Sequence, residues 1–339
     1  MDIQPLGDMQ QVTAISYHDT VNDLQGLDWS ASSPFARLEW FRLLEESGVA
    51  PVFATIRKGG DAVTLPLRRN GARMESLTNW YAFTWADMRT SGLTDCTMAE
   101  DLARDLARRT VRVELSKLPE DDGTEGRLAN AFEKAGWIVL RSPCDTNHIL
   151  KLRGRDYCEY LADRPGRVRT TLKRKAKKVE VTLATSFSDE DWAFYEDIYA
   201  DSWKPEEGDP AMLRRFAEGE SVSGRYRFGL ARHEGTPVAA QFWTVDSGIA
   251  YIHKLAHRES ARPLSPGTTV TAALLQHVIN TDGVTMVDFG TGDDPYKRDW
   301  MEDTRTRWRL SCLRPGSPRN WPDICKAALR KLVSRDLAG

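Results

Sequence analysis

The sequence predicts a mixed α/β (α+β) fold laid out as two similar halves, and three observations predict it. At 339 residues the chain is too long for one comfortable core, so about two domains are expected. Apolar residues recur at helical spacing in some segments and alternate in others, so helices and strands are interleaved. The order of helices, hairpin or meander, helix, strand occurs twice. That suggests an internal duplication, although no residue-level repeat is visible.

In the first half, residues 12–16 read as a short strand. Residues 38–46 read as a helix, with Leu38, Phe41, Leu43 and Leu44 apolar and Gly48 as a stop. Residues 51–57 and 62–68 form a hairpin across Lys58-Gly59-Gly60-Asp61, and 73–77 add a strand. Helix 98–108, strand 111–115, helix 126–134 and strand 137–140 follow. The motif SPCDTN at 142–147 interrupts the pattern and marks the junction between halves.

In the second half, 148–152 is a strand, and helices 157–162 and 168–178 flank Pro165-Gly166. Strand 179–184 precedes an amphipathic helix 189–203 capped by Ser188. Helix 210–218 leads into a meander of strands 226–232, 237–245 and 249–256. Helix 268–280 and strand 285–289 follow. After the Pro/Gly-rich stretch 314–320, residues 321–337 read as a basic amphipathic tail helix. The expected domains are 1–145, 146–312 and the tail 313–339.

Bulk chemistry excludes several classes. A net charge of −2 gives no global case for nucleic acid or membrane. No apolar run approaches the roughly 18 residues of a membrane span, and MDIQPLGDMQQ has neither the basic nor the apolar region of a secretory signal. Cys96, Cys144, Cys158, Cys312 and Cys325 are odd in number and lack a CxxC pair. They read as reduced thiols of a cytoplasmic protein, with no zinc site. No HExxH pair occurs either, so no metal is expected.

Three constellations remain. Arg262-Pro263-Leu264-Ser265-Pro266-Gly267-Thr268 opens a helix whose free N–H groups suit a phosphate; the alternative is an ordinary well-capped helix. Asp288-Phe289-Gly290-Thr291-Gly292-Asp293-Asp294-Pro295-Tyr296-Lys297 ends a strand in a polar loop. Its carboxylates, Tyr296 and Lys297 suit proton transfer or polar substrate binding, against a plain solvated turn. Residues 164–178 carry eight Lys or Arg in fifteen. That run grips phosphates or is a solvated basic face, and the balanced charge elsewhere favours the face.

In their order, these pieces resemble the GNAT-type acyltransferases associated with cellulose biosynthesis (CelD/BcsL-like). They are also similar to the FemABX aminoacyltransferases, which have two GNAT-like halves. The resemblance rests on the Arg-rich helix, Ser265-Pro266-Gly267, Asp288-Phe289-Gly290-x-Gly292 and Tyr296-Lys297, and covers roughly 145–312. It implies tandem GNAT-like domains, each a mixed, mostly antiparallel sheet flanked by helices. It also implies N-acyl transfer from acyl-CoA to an amine acceptor, a small molecule or a cell-envelope precursor.

The expected cleft lies between the halves, beside strands 251–257 and 284–289. Leu255, Ala256, His257, Arg262, Ser265, Gly267 and Thr268 are expected to hold acyl-CoA. Lys297, Tyr296, Asp288 and Asp294 are the catalytic or acceptor-positioning candidates. Trp203, Trp243, His253 and Lys254 are expected at the acceptor. The chain departs from the family's Gly-rich phosphate loop, having one glycine after Arg262. This keeps two alternatives open: aminoacyl-tRNA as donor, or a non-catalytic module binding an anionic polymer through 164–178.

Overall fold

The computed structural model describes residues 13–95 and 97–336. The first strand is Thr13–His18, so Val12, the N-terminal segment, Cys96 and Leu337 lie outside the described residues. The chain divides into two compact units, Met1–Cys144 with Thr306–Gly339, and Asp145–Arg305. The tail set apart in the sequence as 313–339 groups with the first unit.

In the first unit the strands run in the order Thr13–His18, Pro51–Lys58, Asp61–Asn70, Arg73–Ser76, Arg112–Pro119 and Asp303–Leu313. Neighbours are antiparallel except Arg73–Ser76 and Arg112–Pro119, which run parallel over Arg73↔Arg112, Met74↔Val113 and Glu75↔Glu114. The hairpin turn is tighter than expected, with only Gly59-Gly60 between the strands. Helices Met98–Leu106 and Thr124–Lys134 bury Leu102, Leu106, Leu128 and Phe132 against this sheet. The strand Asp303–Leu313 was not read from sequence. Leu310 and Cys312 alternate on its inner face and are fully buried in the unit's core.

In the second unit the order is Ile138–Lys151, Met286–Thr291, Ile249–His257, Thr236–Asp246, Tyr226–His233 and Glu180–Ala184. The sheet is antiparallel except where Ile249–His257 meets Met286–Thr291. That parallel pair needs a crossover, which the helix Pro266–Asn280 supplies. The helix seats closely on Gly229, where an added Cβ would lie 2.7 Å from a Val270 methyl. Only glycine permits that approach.

Side chains alternate across the meander and sort the helices to its two faces. Gln241 donates to the Gly267 carbonyl and Thr271 hydroxyl of the crossover helix. Its neighbour Phe242 packs on Trp192 and Phe216, from helices Asp189–Ala200 and Pro210–Val222 on the other face.

Two sequence expectations are corrected here. The division between the units does fall within SPCDTN, at Cys144 and Asp145, but the motif does not interrupt the secondary structure: one strand, Ile138–Lys151, runs through it. Residues 141–143 are exposed, so the missing N–H of Pro143 leaves no buried partner unsatisfied. The helix expected to reach Trp203 stops at Ala200, and residues 201–209 form a loop before Asp209 caps the next helix.

Candidate active site

The parallel pairing in the second unit covers Ile249↔Met286, Ala250↔Val287 and Tyr251↔Asp288 and then ends. Beyond it the strand Ile249–His257 continues for six residues. A bulge at its His253, between the pairs Trp243↔Ile252 and Phe242↔Lys254, adds local twist. The opening is a cleft of about 530 Å³, lined wholly by residues of the second unit. Leu255 and His257 form one wall, Phe289, Tyr296 and Trp300 another, and Ser265, Pro266, Gly267 and Thr268 close one end.

That end is the N-terminus of the crossover helix. Ser265 has left-handed backbone (φ 54°), and its side chain makes no cap bond to the helix. Its hydroxyl instead accepts from Lys175 Nζ at 3.0 Å. Among the described residues no protein acceptor takes the N–H of Gly267 or Thr268. The first turn carries no acidic residue, and Arg167 and Arg262 also line the cleft. Unfilled donors, a helix dipole and three cations make this end suited to an anion. His257 lies beside Gly267, with Nδ1 3.6 Å from where a Cβ would be. Burial holds its imidazole below the usual histidine range. Trp203 covers it, ring to ring at 4.4 Å.

The structure therefore brings Leu255, His257, Arg262, Ser265, Gly267, Thr268, Trp203 and Tyr296 into one cleft. It places the other sequence candidates elsewhere. Ala256 and Trp243 are buried, and Trp243 Nε1 donates to Gln241 at 3.0 Å. Asp288 is buried in a network, accepting from Asn147 at 2.7 Å, the Gly290 N–H at 2.8 Å and Arg305 at 2.5 Å. Its carboxylate holds the strand end and loop. Lys297 is buried and donates to the Thr291 carbonyl, with exposed Asp294 at 3.9 Å. Burial lowers its pKa. Tyr296 packs edge-on against Phe289, and burial raises its pKa.

His253 and Lys254 face the opposite side of the sheet. His253 stacks on Phe242 and bonds Thr244 Oγ1 at 2.8 Å. Lys254 pairs with Glu207 at 2.6 Å.

The basic run also separates by role. Arg164 is buried, bonded to the Trp300 carbonyl and Glu302. Arg167 pairs with Asp299, Lys175 reaches Ser265, and Arg169, Lys173, Arg174, Lys177 and Lys178 are exposed. Sequence reasoning missed Lys204 and Glu207, because the loop that carries them was read partly as helix. Pro205 and Gly208 were the available signal.

A model of the family described as "Acetyltransferase (GNAT) domain" matches residues 166–298. Residues 166–298 form a GNAT acetyltransferase domain. The chain is accordingly a transferase. Among solved structures, FemX is similar at 10% identity and a TM-score of 0.62, over 88% of this chain and 98% of that one. The C-terminal domain (DUF2156) of a protein from Agrobacterium fabrum, proposed as a lysylphosphatidylglycerol synthetase, is similar at 12% identity and a TM-score of 0.56, over 86% and 91%. A conserved protein of unknown function from Bacteroides thetaiotaomicron gives 12% and 0.57, over 88% and 100%. At such identities the likeness is one of fold. No curated protein matches the sequence. The GNAT domain contains every residue lining the cleft except Asp299 and Trp300. Among the described residues no group of His, Cys, Asp or Glu is placed to hold a metal, and no helix is long and apolar enough to cross a membrane.

Proposed function

We propose that the protein is an N-acyltransferase that moves an acyl group from acyl-CoA to an amine by direct attack on the thioester. The observation that carries this reading is the cleft itself. It joins the half of a strand whose parallel partner has ended to a helix N-terminus with no acid in its first turn, whose Gly267 and Thr268 N–H groups have no protein acceptor among the described residues. The fit to acyl-CoA follows from its chemistry. A diphosphate suits the helix end, with Lys175, Arg167 and Arg262 as cations around it. An amide-bearing arm suits the edge of residues 252–257 that faces away from strand Thr236–Asp246, where the parallel pairing has ended, with Leu255 and His257 side chains against it. Tyr296 and Phe289 wall the far end.

Catalysis in this reading is mainly positioning, since a thioester needs no covalent enzyme intermediate when an amine is held in line. Asp288 and Lys297 serve by fixing the loop that carries Tyr296, and Asp294 stands at its rim. The ordered string Ser-Pro-Gly, Asp-Phe-Gly-x-Gly and Tyr-Lys supports the CelD/BcsL-like branch, working in the cytoplasm on a small or envelope-precursor amine. The second reading, a Fem-type transfer from aminoacyl-tRNA, is favoured by the exposed cations Arg169, Lys173, Arg174, Lys177 and Lys178. Calorimetry decides between them. Acetyl-CoA or a longer acyl-CoA binding at micromolar Kd, lost in Gly267→Asp, supports the first. Binding of aminoacyl-tRNA with none of any acyl-CoA supports the second.

A further inference from the structure

The loop 201–209 links two clefts of the second unit. Trp203 lines the one already described. Its neighbour Lys204 lines another, of about 590 Å³, on the opposite face of the sheet with Tyr195, Tyr199 and Glu196 of helix Asp189–Ala200. Glu206 and Glu207 complete its acidic side. Both volumes are of the size that holds a small organic ligand.

Lys204 differs from the other cations near the opening. Lys254 is bonded to Glu207 and lies over the Tyr199 ring, and Lys297 is bonded to the Thr291 carbonyl. Lys204 is half-buried, and among the described residues its ammonium has no hydrogen-bond or ion-pair partner; Trp203's ring lies 5.8 Å away. A lysine that the fold withdraws from water yet leaves unpaired, in a cleft beside three carboxylates, has no evident structural task.

We propose that the second cleft receives the amine acceptor as an ammonium ion and that Lys204 takes its proton. This rests on the acyl-CoA reading above. Glu196, Glu206 and Glu207 attract the cationic acceptor, and the tyrosine rings give its stem an apolar wall. Neutral Lys204 accepts one proton and frees the nitrogen lone pair. The nitrogen attacks the thioester carbon, the C–N bond forms and the C–S bond breaks. The proton then passes from Lys204 to the leaving thiolate. No further reactant is needed.

The charges facing Lys204 fit that task. Burial first, then the ammonium groups of Lys254 and Lys297, lower its pKa to about 8, opposed by Glu207 and Asp294. His257 also lies within its field and is disfavoured as a cation by it. A base near 8 lies close to a thiol leaving group and to neutral pH, and about two units below an ordinary alkylammonium, so the proton it takes is readily passed on to the thiolate.

Three measurements on the full chain test the assignment. Competitive labelling with acetic anhydride between pH 6 and 11, read by peptide mass spectrometry, should show Lys204 titrating near 8; a midpoint above 10 overturns it. With ethylamine as probe acceptor, Lys204→Arg keeps the charge but cannot deprotonate. It should lose about 10²–10⁴-fold in acetyl transfer from acetyl-CoA, together with the alkaline rise of the rate. Activity within threefold of wild type overturns the proposal. Acetyl-CoA affinity by calorimetry should stay within twofold in Lys204→Arg and Lys204→Ala. A wild-type chain that binds no acetyl-CoA removes the acyl-CoA reading beneath. Binding with an unperturbed Lys204 removes this step alone.

Discussion

Each unit contains one parallel strand pair joined through a helix, and the two pairs are finished differently. In the second unit the pairing stops at Tyr251↔Asp288 and a cleft follows. In the first it stops at Glu75↔Glu114, and the chain itself occupies the edge that follows. The Trp85 N–H donates to the Lys117 carbonyl at 3.0 Å, and Trp85 Nε1 to the Pro66 carbonyl at 3.0 Å. Lys117, held at φ 61°, ties the loop down by donating to the carbonyls of Asn79 and Ala82 at 2.8 and 2.6 Å.

The helix starts differ as well. Met98–Leu106 carries Glu100 and Asp101 in its first turn, where they satisfy its dipole, while Pro266–Asn280 carries no acid there. The same crossover thus becomes a scaffold when its gap is filled from within and a candidate binding site when it is left open.

Four substitutions test this contrast. The largest effect is expected for Trp85→Ala, which removes the buried filler of the first unit and should cost about 3–5 kcal/mol in denaturant unfolding. It should leave acetyl-CoA affinity of the folded chain unchanged. A drop in affinity equal to that of a second-unit variant would show that the filled gap also binds.

Gly267→Asp gives the second crossover helix the acid that the first one has, and should weaken acetyl-CoA roughly 100-fold by calorimetry. An unchanged Kd would remove the helix end from the site. Lys117→Met unties the loop of the first unit by removing the ammonium that donates to the Asn79 and Ala82 carbonyls. It should cost about 1–3 kcal/mol by thermal unfolding, with affinity retained.

The smallest effect concerns His257. Its folded pKa lies below the ordinary 6.5, so the unfolded chain takes up the proton first. Stability contributed by neutral His257 is complete above 6.5 and declines as pH falls through 6.5 toward the lowered value. His257→Gln should flatten that acid-side slope in unfolding curves, and an unaltered slope would exclude the imidazole as its source.

Much of this contrast was legible in the sequence, and its limits are physical. Helices Leu38–Glu46 and Tyr157–Ala162 were read to the residue, because apolar spacing and stop signals coincide there. Ser265-Pro266-Gly267 was read correctly as a helix start, although the use of the Ser265 hydroxyl by Lys175 depends on a contact 90 residues away. Asp288 and Lys297 have the residue types of catalytic groups. That their polar atoms are taken by Asn147, Arg305 and the Thr291 carbonyl is a tertiary fact with no local signal. Lys204 had the opposite problem: a lysine in a loop attracts no attention until burial is known. The strand Asp303–Leu313 could have been found, since Trp308, Leu310 and Cys312 alternate on it.

The first unit's core includes Leu310 and Cys312, which lie in the chain after the whole second unit. Synthesis from the N-terminus therefore delivers the second unit entire before the first has its last strand. Until then Val113 and Leu115 of Arg112–Pro119 lack the neighbour they pair with at Cys312 and Leu310. An open strand edge of this kind is where chains associate wrongly. The protein's weakest moment thus falls on its scaffold unit while the candidate catalytic unit is already complete, and shortening the chain before residue 313 should yield aggregation rather than a partial enzyme.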